Sequence, residues 1–103
     1  MSISYPKNID EFNKLITENN KAVIDFTASW SGACKMMDPT FDTLAVENPE
    51  IAFAKVDIDQ HPDIPAALDI TAVPTFSSTR MFDYFIGPGP SQVTERTHKL
   101  KLA

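Results

Sequence analysis

Two short apolar runs set the tightest limit on what this chain can fold into: KAVIDFTA at 21–28 and IAFAKVDI at 51–58. Both are rich in β-branched and aromatic residues, and Asp25 is the one ionisable residue within the apolar stretch of the first. A strand with one wet face alternates apolar and polar residues. A run with no polar face reads as a strand buried on both sides, in a sheet covered by helices above and below. The flanking segments have the pattern to supply those helices. NIDEFNKLI places Ile9, Phe12, Leu15 and Ile16 on one helical face, and Asn8 with Glu11 three residues on makes a capping-box-like start. From Ser31 to Glu47 the helical spacing returns, with Met37, Phe41 and Leu44 on one side. Pro39 falls inside this helix, so a kink is expected there, from the missing amide hydrogen bond and the clash of the ring with the preceding turn.

Further along, HPDIPAALDI predicts a short helix, and TAVPTF leads through Pro74 into a third strand. MFDYFI alternates and is bounded by Gly87, Pro88, Gly89 and Pro90, which predicts a final strand. Ser91 is positioned to cap a C-terminal helix with a thin apolar face of Val93, Leu100 and Leu102, and Ile3 to Tyr5 can form a short leading strand. The order predicts an α/β chain: a central mixed β-sheet of four to five strands, flanked by helices on both faces, in one domain over 1–103. A length of 103 residues suits a single modest core. One connection is unusually tight. PTFSSTRMFDYFIG leaves only Ser77 to Arg80 between two apolar runs, with no glycine for a primed turn. A shifted register of the edge strand is one expected consequence, and strand exchange between two chains is a way to relieve the strain.

Charge and cysteine usage narrow the function. A net charge of −5 argues against nucleic acid and anionic membrane surfaces, which need a basic footprint. No apolar run approaches the roughly 20 residues that span a bilayer, and MSISYPKNID has no apolar core of signal-peptide length. The chain therefore reads as soluble and cytoplasmic. Its one cysteine excludes an internal disulfide framework and a cysteine-based zinc site. DIDQHPD gathers Asp57, Asp59, His61 and Asp63 but lacks the glycine and terminal glutamate of a calcium loop, so a solvated loop is expected and no metal.

The chemistry-bearing stretch is ASWSGACKMMDP, Ala28 to Pro39, which holds the lone Cys34 and a serine three residues before it. VIDFTASWSGACKMMDP, followed by FAKVDIDQHPDIPAALDITAVPTF, resembles the thioredoxin family over roughly the first three quarters of the chain. The resemblance implies the thioredoxin fold and dithiol–disulfide exchange on protein or peptide thiol and disulfide partners, with no cofactor and with a thioredoxin reductase as the reducing partner. It also implies roles position by position. Trp30 matches the tryptophan that shields the site, Gly32 the loop glycine, and Lys35 the lysine after the second cysteine. Cys34 matches the buried resolving cysteine, and Asp25 the buried acid below it. Val73 and Pro74 match the cis-proline loop that docks substrate backbone. Together Trp30, Gly32, Ala33, Val73, Pro74 and Gly87 would line a groove for an extended peptide. Two positions depart from the pattern: Ser31 stands where the attacking cysteine belongs, and Ala33 where a proline belongs. The last hairpin also falls about three residues short of the family's usual length.

Dithiol exchange needs a low-pKa thiolate to attack and a second thiol to release the mixed disulfide. A serine hydroxyl neither ionises usefully nor forms a disulfide, so the two-cysteine cycle is not open to this chain as written. Serine is, however, among the preferred helix N-caps, and capping is the simplest role for Ser31. Cys34 reads most simply as a small buried side chain, with a residual capacity for a mixed disulfide or a Cys34-linked homodimer. Asp25 in an apolar strand should have its pKa raised by desolvation. His61 and His98 read as surface residues, and Met36, Met37, Phe41, Phe53 and Phe76 as core or site-rim packing. The expected function is that of a protein-disulfide reductase lineage disabled at Ser31. A non-catalytic peptide-binding module and a structural dimer are the alternatives.

Overall fold

In the computed structural model, which describes residues 3–78, 83–86, 93–95 and 97–99, the two apolar runs lie side by side. The elements in order are β1 (Ile3–Ser4), α1 (Ile9–Glu18), β2 (Ala22–Thr27), α2 (Gly32–Glu47), β3 (Ala52–Asp57), α3 (Asp63–Ala67), β4 (Thr75–Ser78) and β5 (Asp83–Ile86). They form one five-stranded sheet in the order β1-β3-β2-β4-β5. β1, β3 and β2 run parallel, with Val23 beside Phe53 and Asp25 beside Lys55. β4 and β5 are antiparallel, with Phe26 beside Thr75 and Thr75 beside Ile86. Pairing continues in register to Ser78 and Asp83. The connection at 79–82 lies outside the described residues, as do the Gly87–Pro90 boundary, Ser91, Leu100 and Leu102.

Successive strand residues point to opposite faces, and each face carries its own half of the core. Val23, Phe53 and Phe76 meet Met37, Phe41, Leu44 and Ala45 of α2, together with Val93. Ile24, Phe26, Ala54 and Val56 meet Phe12 of α1 and Ile64 of α3. Phe41 is the hub of the first half: its ring stands edge-on to Phe53 at 5.3 Å and tilts against Phe76 at 6.2 Å. Truncating it would cost about 3–5 kcal/mol, a large share of a small domain's stability.

Local chemistry sets the helix ends. Asn8 Oδ1 accepts from the Glu11 amide at 2.8 Å, whereas Glu11 Oε1 accepts from Lys7 N at 2.9 Å, one residue earlier than in a capping box. Asp63, in the first turn of α3, accepts from Ile9 N at 2.8 Å and ties α3 to the start of α1. α2 continues through Pro39, whose missing amide leaves the Lys35 carbonyl without its usual i+4 donor. α3 ends in a Schellman turn: Ile70 N donates to Pro65 O at 2.8 Å and Asp69 N to Ala66 O at 3.4 Å. Asp69 there has a left-handed φ of 57°. Residues 93–95 and 97–99 are helical, and Val93 and Thr97, one turn apart, are both buried. Thr97 is a core position that the apolar pattern could not reveal. Of the two histidines expected at the surface, His98 is exposed but His61 is half-buried, its amide tied to Asp57 O at the end of β3. No helix among the described residues is long and apolar enough to cross a membrane, and they hold no group of side chains suited to a metal ion.

Candidate functional site

The site forms where the central strand β2 gives way to α2. Ser31 N donates to Ala28 O at 3.1 Å, turning the chain after β2, and Lys35 N donates to Ser31 O at 3.2 Å as the helix begins. Ser31 is the N-cap, with extended backbone angles, and its Oγ accepts from Cys34 N at 3.3 Å. The hydroxyl is thus occupied with a first-turn amide. Gly32, Ala33 and Lys35 are exposed, while Cys34, a free thiol, is turned inward at 2% exposure. A Cβ on Gly32 would meet nothing within 4 Å, so space alone does not demand a glycine here.

Trp30 and Met36 stand out from the surface at 67% and 78% exposure. Met36 is therefore rim and not core, unlike Met37, Phe41, Phe53 and Phe76. Trp30 does not swing freely: its Nε1 donates to Asp59 Oδ2 at 2.8 Å. Asp59 is held in turn, because Asp57 Oδ1 accepts from Asp59 N at 2.9 Å and from Gln60 N at 3.3 Å. The acidic loop that reads as mere solvated chain thus orients the one tryptophan. An Asx turn is foreshadowed by the Asp-x-Asp spacing; its target is not.

The register carries Pro74 to the same end of the sheet. Phe26 pairs with Thr75, so Pro74 lies opposite the end of β2, from which the Trp30 loop departs. The Val73–Pro74 bond is cis, Pro74 is buried and Val73 half-buried. Gly87 follows the last residue of β5 but lies outside the described residues.

Asp25 points from β2 into the layer beneath α2, since it alternates with Ile24 and Phe26 of the opposite layer. It is 1% exposed, and neither carboxylate oxygen has a hydrogen-bond partner among the described residues. Desolvation pushes its pKa up to about 7; the Lys55 charge opposes this, and Asp38 and Asp42 reinforce it. Lys55 lies 3.0 Å from Asp42 Oδ1 and 3.4 Å from Asp38 Oδ1. Burial alone would lower the Lys55 pKa, but these two acids raise it above the usual lysine range. None of Lys55, Asp38, Asp42 and Asp59 was singled out by sequence pattern for a part in the site.

A parallel three-stranded unit extended by an antiparallel hairpin, with the loop after its central strand facing a cis proline, is the architecture of a thiol–disulfide exchange protein. The thioredoxin family model matches residues 4–90, and the chain belongs to that family. It is 41% identical over 93 residues to mitochondrial thioredoxin-3 of Saccharomyces cerevisiae, covering 87% of this chain and 73% of that protein. It is 35% identical over 97 residues to the thioredoxin of Coprinus comatus, covering 89% and 92%. The solved oxidised mitochondrial thioredoxin 3 of S. cerevisiae superposes with a TM-score of 0.89 at 38% identity, over 95% of each chain. The protein-disulfide reductase lineage follows from these likenesses.

Proposed function

We propose that this chain docks protein segments bearing thiols or disulfides at the surface around Trp30, Gly32, Ala33, Val73 and Pro74, and does not carry dithiol–disulfide exchange to completion. The observation that carries this reading is the placement of Ser31, with its hydroxyl bound to the Cys34 amide at the N-terminus of α2. That terminus is where unpaired amides and the helix dipole stabilise an attacking thiolate. Reducing a partner disulfide takes two electrons from two thiols: one sulfur attacks and forms the mixed disulfide, the second displaces it. Ser31 offers no sulfur, and Cys34 is the only cysteine in the chain. Cys34 by itself would stop at one mixed disulfide, and its burial slows even that step. The same burial would slow formation of a dimer linked through Cys34, the alternative reading.

Docking is tested by titrating the chain with a reduced peptide whose cysteine is S-methylated, which can bind but not react, and reading Trp30 fluorescence. Saturable binding that Gly32→Arg abolishes supports the reading. No saturable change, by fluorescence or by calorimetry, contradicts it.

A further inference from the structure

The groups that govern Asp25 lie outside the Trp30–Cys34 loop. Lys55 is the register partner of Asp25 across the parallel β2–β3 ladder, so both side chains leave the sheet on the same face. A buried carboxylate beside an ammonium would ordinarily pair with it, yet Asp25 accepts no hydrogen bond among the described residues. The ammonium is drawn elsewhere. It lies 3.0 Å from Asp42 Oδ1, 3.4 Å from Asp38 Oδ1 and 5.7 Å from the centre of the Phe41 ring. Residues 38, 41 and 42 are spaced i, i+3 and i+4 on α2, so one helix face presents two carboxylates and an aromatic ring to a single cation. We propose that Asp38 and Asp42 are positioning residues that hold the Lys55 ammonium off Asp25 and leave the buried acid without a counter-ion.

The arrangement is a competition between three carboxylates for one cation. Asp38 and Asp42 are partly exposed, at 44% and 56%, and retain much of their hydration while they bind it. Asp25 would have to ionise in the core to compete, which its desolvation opposes. The other groups on this face do not alter the balance. β3 adds Asp57, occupied with the amides of Asp59 and Gln60, α2 adds the buried Cys34, and β4 places Phe76 beside Asp25. Neutralising the two α2 carboxylates frees Lys55 to turn to Asp25, which then becomes the anion. The device stands whatever the chain does with thiols.

Carbon-detected NMR titration of the Asp25 carboxyl tests it without any activity assay. In the unaltered chain the midpoint should lie near 7. Asp38→Asn with Asp42→Asn should lower it by about one pH unit, and Asp42→Asn alone, a milder change, should lower it part of the way. The decisive comparison repeats the double substitution in a Lys55→Met background, where the fall should shrink to less than half. A midpoint that does not fall overturns the proposal. So does an equal fall with and without Lys55, which would mean that the carboxylates act by their charge and not by holding the cation. Amide dispersion in the same spectra verifies that each variant is folded.

Discussion

The Ser31 hydroxyl accepts a hydrogen bond from the Cys34 amide at 3.3 Å, so Ser31 caps the helix that carries the chain's one cysteine. Ser31→Ala should therefore lower stability by about 1 kcal/mol, and Ser31→Gly by only a few tenths. Urea midpoints with an unchanged slope measure this. An alanine variant as stable as the parent would show that the hydroxyl does not cap.

Asp25 makes stability fall as pH rises. Its carboxyl titrates near 3.8 when unperturbed and near 7 in the fold. Between those values the folded chain keeps a proton that the unfolded chain has lost, so each step up in pH favours unfolding; below about 4 both states are protonated and the penalty vanishes. Relative to the parent, Asp25→Asn should gain stability between pH 4 and pH 8, by on the order of 4 kcal/mol across the window. Urea unfolding at the two pH values measures the gap. A gap that does not change with pH contradicts an elevated Asp25 pKa.

Thr97 is buried one turn from Val93, and its hydroxyl has no hydrogen-bond partner among the described residues. Thr97→Val keeps the shape and removes the unsatisfied group, which should raise stability by about 1 kcal/mol. A lower thermal midpoint would mean that the hydroxyl is satisfied.

The layers of the fold are legible in the sequence because burial leaves a periodic mark. Val23, Ile24, Phe26, Ala54 and Val56 lack a polar face, and Met37, Phe41 and Leu44 return at helical spacing. The loop is legible through Trp30, Ser31, Cys34 and Pro74, which keep or visibly break a recognisable order. What surrounds the loop is not. Trp30 meets Asp59 across 29 positions and Lys55 meets Asp42 across 13, and such contacts leave no periodic trace. Asp57 and Asp59 read as a polar loop because their task, an Asx turn and one acceptor for an indole, uses the same residues as solvation does. Thr97 escapes for the opposite reason, as a polar residue in an apolar place.

Asp59 fixes the indole of Trp30, and docking at this surface should depend on it. Asp59→Ala should weaken binding of the S-methylated peptide about fivefold, equivalent to about 1 kcal/mol, with a changed emission spectrum from the single tryptophan. Unchanged emission and unchanged affinity together would show that the bond does not orient the ring.

The claim that the exchange cycle stops at Ser31 is tested most directly by insulin reduction with a thioredoxin reductase as the electron source, comparing the unaltered chain with Ser31→Cys. The unaltered chain should give no turnover above the protein-free background, and Ser31→Cys should restore it, with Cys34 as the resolving thiol. Turnover by the unaltered chain, or a folded Ser31→Cys variant that stays inactive, would contradict it.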